Sequence, residues 1–472
     1  MGQNTAKTLV MKFGGSSVAS PQAMGQVVEN VRAGLRDWPR LVVVTSALSG
    51  VTDLLIESAR RSVLGDRGFY EAAEEKLRAR HLALADALVS GEERTAMLRQ
   101  EIELLTSDFA SRCQAVSVLG EATPRALDSI AGLGERLAAR VLAAALESVD
   151  VPAVALDATQ LIVTDENFQA AHPDLNATIQ RVKQGLVPVL ERGQAAVVTG
   201  FIAATPGGVI TTLGRGGSDY SAALLGAALP ADEVWIWTDV DGVMTADPRL
   251  VPDARTIPEL SYREVAELAY YGAKVLHPKT IRPVIEAGIG LRVLNTFNPG
   301  SPGTRLVAVR GETANGVIKA VTAIRGLRLI TIEGRGMLGV PGVAARTFST
   351  VAATGISVPL ISQASSEQSI CFAVPQEAAP SVISALQNSF AREIASRDID
   401  RVWATDEVVI ISVVGAGMRS TPGIAGRIFQ ALGDTGCNVI AIAQGSSEVS
   451  ISLIVDAAET QPAVQALHRL IV

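Results

Sequence analysis

Between residue 8 and about residue 306, short β-branched runs alternate with stretches of helical periodicity, a pattern that admits only a few folds. The runs LVMKF, LVVVTSA, AVALDA, AAVVTGF, VWIWTD and LRVLN are nearly continuous in apolar residues, as strands covered on both faces of a parallel sheet must be. The expected core is therefore a mostly parallel sheet between helical layers, an α/β fold of three layers. The alternation lapses from 53 to 118, where mixed charge at helical spacing predicts a helical insertion broken near Gly65, Gly68, Ser90 and Gly91. Its charged residues, among them Arg60, Arg61, Glu74, Glu75 and Lys76, read as solvated helix faces.

The turn-rich segment NPGSPGTRL at 298–306 ends the alternation and predicts a domain boundary near 310. A duplication follows. Residues 334–374 laid on 415–455 agree at 19 of 41 positions without a gap, where unrelated sequences would share roughly three. Pro341-Gly342 matches Pro422-Gly423, Phe348 matches Phe429, and Gln363 matches Gln444. Each copy reads as strand, Pro-Gly-started helix, strand, strand, helix, most of a βαββαβ unit. The second copy lacks a final strand, and the orphan run GVIKAVTAI at 316–324 is the candidate to supply it. The first unit would then be inserted into the second, with their sheets side by side.

Composition removes several classes of function. A net charge of −7 with few aromatic residues and no Lys/Arg cluster argues against nucleic-acid binding. The apolar runs are strand-length, far below the ~20 residues of a membrane span. The N-terminus enters its first strand without a signal-peptide pattern, so a cytoplasmic location is expected. Cys113, Cys371 and Cys437 are too scattered for a disulfide framework, and His81, His172, His277 and His468 form no metal-ligating pattern, so no metal site is expected.

Three glycine-rich or acidic clusters carry the chemistry. Lys12-Phe13-Gly14-Gly15-Ser16-Ser17 places a glycine pair after a strand, where backbone N–H groups can approach a phosphate oxygen, and Lys12 can neutralise a transferring phosphoryl group. It is not the GxxxxGK[ST] loop. Leu213-Gly214-Arg215-Gly216-Gly217-Ser218-Asp219 has an acid where a dinucleotide fingerprint needs its last glycine, and offers one cationic fork and one carboxylate in a tight turn. The run Thr238-Asp239-Val240-Asp241-Gly242-Val243-Met244-Thr245-Ala246-Asp247-Pro248-Arg249 sets acids past a strand end, where open α/β sheets bind ligands.

Together with Gly134-Glu135-Arg136 and Gly272-Ala273-Lys274-Val275-Leu276-His277-Pro278, these clusters resemble the aspartokinase branch of the amino acid kinase family over essentially the whole chain. The duplicated segment is similar to that family's pair of ACT domains. The resemblance implies a kinase domain at 1–310, a first ACT unit at 326–404, and a second made of 316–324 with 405–472. It also implies transfer of the γ-phosphoryl of ATP, with Mg²⁺, to the side chain of L-aspartate, the first step toward lysine, threonine, methionine and isoleucine. Residue by residue, Lys12 and Asp219 would serve the phosphoryl group together with Gly14, Gly15 and Ser16. Arg215 and Glu135 would take the aspartate carboxylate and ammonium, and Ser46 and Thr52 would line its site. Thr238, Asp239, Asp247, Arg249 and Lys274 would face the nucleotide. Met244 stands where the family usually has tyrosine, replacing a hydrogen-bond donor by a thioether.

The repeats resemble most the threonine-responsive kinase half of bifunctional aspartokinase–homoserine dehydrogenases. The matched amides Gln363 and Gln444 suit a small hydroxyl side chain, while Glu367 and Glu448 keep lysine open. Ser357, Asn438, Met337 and Met418 are further effector-site candidates, and a homodimer or homotetramer joined through ACT units is expected. No dinucleotide-binding fold is read after the repeats, so dehydrogenase activity is not expected of these residues. Another amino acid kinase acting on acetylglutamate, glutamate or a nucleoside monophosphate, and an inactive amino-acid sensor, are the competing readings.

Overall fold

The computed structural model describes residues 7–271, 276, 278–307, 317–363, 368–418, 421–444 and 449–471. Lys274, His277, Glu367 and Glu448 lie outside them. The chain forms two units, one of Met1–Val243, Thr256–Tyr262 and Leu276–Arg310, the other of Met244–Arg255, Arg263–Val275 and Gly311–Val472.

The first unit is built on an eight-stranded sheet in the order Glu259–Ser261, Thr304–Val307, Gly290–Asn295, Glu233–Thr238, Thr8–Phe13, Arg40–Thr45, Ala195–Thr199, Ala153–Leu156. All six runs read as strands from the sequence lie in it. Every neighbouring pair is parallel except Gly290–Asn295 with Thr304–Val307. The strand Thr8–Phe13 is central and buried throughout except at Lys12, which pairs in register with Val44 and Ile236 near the carboxyl ends. Phe13 stacks on Trp237 of the next strand, ring centres 5.7 Å apart. A second, four-stranded sheet, in the order Pro173–Asp174, Val163–Thr164, Ile202–Ala204, Ile210–Thr212, was not legible in sequence, because strands of two or three residues are too short to show a period.

The insertion is three helices, Val51–Val63, Arg67–Leu88 and Glu92–Leu119. Gly65 and Gly91 interrupt them with φ of +79° and +93°. Gly68 does not: Asp66 accepts the Phe69 N–H and starts the helix at Arg67, leaving Gly68 in the first turn. Leu77, Leu84, Ile102 and Phe109 join a core continuous with the sheet. Within it His81 is wholly buried, its Nδ1 2.7 Å from the Leu77 carbonyl and its Nε2 without a partner.

The second unit carries a six-stranded antiparallel sheet in the order Ile361–Gln363, Ser369–Pro375, Ala320–Glu333, Arg401–Val414, Ser450–Asp456, Ala441–Ala443. The orphan run and the first repeat's opening strand are one continuous strand, Ala320–Glu333, whose register shifts between Ile324 and Leu327 at Gly326, φ +70°. The run ISVPLIS is a strand only from Ile361, since Pro359 lacks an N–H to donate to a ladder. In the Pro-Gly pairs the glycine is the N-cap, Gly342 and Gly423 at φ +92° and +85°, so each proline precedes its helix instead of opening it. Helices Val343–Ala353 and Ala379–Ser389 pack on Ile330, Ile332 and Phe372. Helices Ile424–Asp434 and Thr460–His468 pack on Val409, Ile411 and Leu453. The alternate residues Leu327, Leu329, Val408 and Ile410 form a third cluster with Leu360 and Ile454. Around it the outermost strands meet, the Ser362 hydroxyl donating to the Ile442 carbonyl at 3.2 Å.

Two stretches read from the sequence as kinase fold with this second unit. Ala246 and Val251 are buried in the core of Ile411 and Leu467. Val321 N–H donates to the Thr245 carbonyl at 2.8 Å, the Thr245 hydroxyl lies 2.9 Å from His468 Nε2, and Gln465 Nε2 donates to the Leu250 carbonyl at 3.0 Å. In the second stretch, buried Glu264 pairs with Lys319 at 3.4 Å and accepts the Ala416 N–H at 2.8 Å. No helix among the described residues is long and apolar enough to cross a membrane.

Burial lowers the His81 pKa from 6.5 to about 4. A base whose folded pKa is depressed binds fewer protons folded than unfolded, so its stabilising effect, complete above pH 6.5, is lost as pH falls toward 4. The shift corresponds to roughly 3 kcal/mol. Thermal melts of His81→Leu beside the native chain between pH 7 and 5 are expected to show a shallower fall of Tm in the variant; parallel curves would refute the assignment.

Candidate active site

The carboxyl ends of the parallel strands converge on a cleft of about 370 Å³ lined by Lys12, Gly15, Ser46, Thr52, Glu135, Arg215 and Asp219, among others. Seven residues singled out from four separate sequence clusters are thus brought to one place. Lys12 is the penultimate residue of the central strand, and its Nζ lies 2.6 Å from Asp219 Oδ1, both side chains more than four-fifths buried. Asp219 sits in the first turn of the helix Gly217–Ala228, where the helix dipole favours a negative charge. The helices starting at Val51 and Leu133 also contribute first-turn residues to the cleft, Thr52 and Glu135. Several helix N-termini facing one cleft suit an anionic ligand.

Glu135 is 3% exposed, and only one of its oxygens is engaged, Oε1 accepting the Ala47 N–H at 3.2 Å. Its Oε2 is buried without a hydrogen-bond partner. Burial raises its pKa from 4.5 to about 7 against the opposing pull of the Ala47 N–H. Such a carboxylate is suited to a cationic partner that restores its ionised form.

The loop Ser46–Gly50 is held tightly against these groups. Ser46 N–H donates to the Phe13 carbonyl at 3.1 Å and Ser49 N–H to the Gly15 carbonyl at 3.2 Å. A Cβ on Gly15 would stand 3.0 Å from the Ala47 carbonyl oxygen, and one on Gly134 only 2.7 Å from the Ala47 Cβ. Glycine at both positions is what lets the loop approach strand and helix together.

Other expected residues stand differently. Gly14 N–H is directed at the Trp237 carbonyl, 3.4 Å away, so this donor is already engaged. Gly14, Ser16, Thr238 and Asp239 do not line the cleft. The Thr238 hydroxyl donates to Asp239 at 3.2 Å. In the second unit Asp247 and Arg249 form an exposed pair at 2.6 Å, and the guanidinium holds the Asp247 carboxyl below its usual pKa. Lys274 lies outside the described residues. Gln363 ends one outermost strand, Gln444 follows the other, and both are exposed, as are Ser357 and Asn438. Met337 and Met418 are interior residues of two different helix-covered cores.

Sequence reasoning missed Phe201, which lines the cleft with φ of +66°, a left-handed backbone that a non-glycine residue adopts at some cost. Its N–H donates to the Ser221 hydroxyl at 3.0 Å. The available signal was its place directly after the strand AAVVT and Gly200, at the same carboxyl edge as Lys12.

Residues 7–295 match the amino acid kinase family, and residues 330–390 and 411–470 match the ACT domain. The bifunctional aspartokinase/homoserine dehydrogenase 2 of Zea mays is 36% identical over 464 residues, covering 97% of this chain and 50% of that protein. The chain thus spans about half the length of such bifunctional relatives. Escherichia coli aspartokinase III in complex with aspartate and ADP superposes with a TM-score of 0.79 at 29% identity, over 98% of this chain and 99% of that one. The same enzyme in complex with lysine and aspartate gives 0.80 at 30% identity, over 98% and 99%. With its mostly parallel kinase sheet, its cleft at the strand ends and its duplicated antiparallel unit, the chain belongs to the amino acid kinase family, in the aspartokinase branch that carries ACT domains.

Proposed function

We propose that the chain is an aspartate kinase, transferring the γ-phosphoryl of ATP to the side-chain carboxylate of L-aspartate to give 4-phospho-L-aspartate. The observation that carries the reading is the cleft itself: a buried, half-satisfied Glu135 together with Arg215 and the Lys12–Asp219 pair. One buried acid and one cationic fork match an amino acid's ammonium and carboxylate. Bound aspartate and ADP in the Escherichia coli relative support the same assignment.

In the proposed step a carboxylate oxygen bonds to the γ-phosphorus, the bond from that phosphorus to the β–γ bridging oxygen breaks, and ADP leaves. The attacking carboxylate, of ordinary pKa ~3.9, is already an anion, so no general base is needed. Catalysis then rests on positioning and charge. Lys12 would neutralise the transferring group while Asp219 holds the ammonium in place. Thr238, Asp239, Asp247, Arg249 and Lys274 are assigned to the nucleotide side by their motif matches.

Among the described residues no group of three or more His, Cys, Asp or Glu side chains could hold a metal ion. Mg²⁺ brought in on the nucleotide phosphates would require only one or two protein carboxylates. Asp219 is the carboxylate beside Lys12 that could serve. The ion's contribution there would be neutralisation of phosphate charge.

Coupled ADP release with ATP, Mg²⁺ and aspartate tests the reading directly: turnover is expected, and Lys12→Met should lower kcat by about 100-fold or more. Absence of turnover in the native chain at saturating substrates would sink it. Because Glu135 must be ionised to take an ammonium, KM for aspartate should rise roughly tenfold per pH unit below 7, while Glu135→Gln should have a high KM that no longer varies between pH 6 and 7.5.

The second part of the proposal is feedback by an amino acid at the ACT units, placed at 326–404 and at 316–324 with 405–472, threonine being favoured and lysine the competitor. Exposed Ile361 and Ile442 on the outermost strands are consistent with association of copies through this unit, as a homodimer or homotetramer. Coupling to the nucleotide side is supported by the 244–255 stretch, which bears Asp247 and Arg249 and is held by Val321, Gln465 and His468. Threonine is therefore expected to raise Tm and the KM for ATP, and His468→Ala to weaken the effect on KM by about fivefold. Stabilisation by lysine and not threonine would reverse the effector assignment.

A further inference from the structure

The helical insertion contains the feature that the proposed reaction does not yet use. On the helix Arg67–Leu88, Arg78 is surrounded by Glu74, Glu75 and Glu103 at 2.6–2.8 Å. Arg61 and Arg112, on the flanking helices, are likewise neutralised, by Glu57 and Asp108 at 2.8 Å. Arg80 is different. Among the described residues it has no carboxylate partner, and its Nη2 donates to the main-chain carbonyl of Ser49 at 3.1 Å.

Ser49 belongs to the cleft-lining loop. On its inner side that loop is fixed by Phe13, Gly15 and Glu135, through the N–H groups of Ser46, Ser49 and Ala47. Arg80 holds it from the insertion. The guanidinium's origin is rigid, because the next residue, His81, is fully buried and Leu77 and Leu84 on the same helix are core residues. A cation without a carboxylate of its own, one residue beyond the cleft wall, also adds positive potential toward a ligand with two carboxylates.

We propose that Arg80 is a positioning residue for the substrate loop: it fastens Ser49 so that Ala47 stays on Glu135 and Ser46 and Thr52 keep their place around the amino acid. The helical insertion is then part of the aspartate site and not a decoration of the fold. This inference rests on the aspartate-kinase reading for its kinetic consequence, but the tie between Arg80 and the loop does not.

The test uses the full chain with Arg80→Met, Arg80→Lys and Arg80→Ala. In Arg80→Met, KM for aspartate should rise about tenfold, the size of a lost charge-assisted hydrogen bond, with KM for ATP unchanged and Tm within about 2 °C of the native chain. Arg80→Lys should recover part of the loss, and millimolar guanidinium should lower the aspartate KM of Arg80→Ala. An aspartate KM within about twofold of native, or an equal rise in the ATP KM with a fall in Tm, would overturn the proposal. Hydrogen exchange at the amides of residues 46–52 separates the two claims. Faster exchange in Arg80→Met is expected even if the native chain does not phosphorylate aspartate, whereas unchanged exchange overturns the tie itself.

Discussion

The contact between Lys12 and Asp219 is the constraint around which the first unit is organised. An ammonium and a carboxylate 2.6 Å apart, both largely out of water, are tolerable only when each is held where the other needs it, since either one alone would be an uncompensated buried charge. The lysine is held by the middle strand of a parallel sheet, the acid by the first turn of a helix. Any shift of that helix against that strand breaks the pair, so the sheet's register and the helix's docking are fixed by the same requirement. The pair therefore sets the geometry on which a phosphoryl group could be received.

Glu135 shows the complementary arrangement. Its second oxygen is buried with no partner, and burial lifts its pKa to about 7. An unfilled acceptor of this kind costs stability in the free protein, and the cost is recovered when a cation arrives. Asp219 already has a counter-ion in Lys12 while Glu135 has none among the described residues, and both line the cleft. The loop Ser46–Gly50 connects the two, pressed against Gly15 and Gly134 on its inner face. It is the point at which the sheet, the 133–147 helix and the helical insertion meet at the cleft.

The second unit makes its point by packing. Its two central strands of 14 residues each serve both repeats, so neither repeat is a closed body with its own edges. The 244–255 stretch is buried in the core of one of them by Ala246 and Val251, with the exposed Asp247–Arg249 pair between. A change in the strands or in the helix Thr460–His468 therefore acts directly on this stretch.

Much of this was legible before any coordinates. Continuous apolar runs foretold the parallel strands, because both faces of such a sheet are covered, and the repeat was visible because duplicated cores preserve glycine and apolar positions. Lys12, Glu135, Arg215 and Asp219 stood out only together, because each alone has an ordinary structural explanation and it is their motifs' joint occurrence, in the order of the family the chain resembles, that singles them out. Tertiary structure decided the rest. Only folding could show that Gly14 directs its N–H at Trp237, that Met337 and Met418 are core, that the 244–255 stretch packs with the repeats, and that Arg80, indistinguishable in sequence from Arg78, has no carboxylate partner among the described residues and reaches Ser49. The physical reason is common to all four: spacing along the chain reveals which face a residue occupies, but the partner that satisfies it comes from residues remote in sequence.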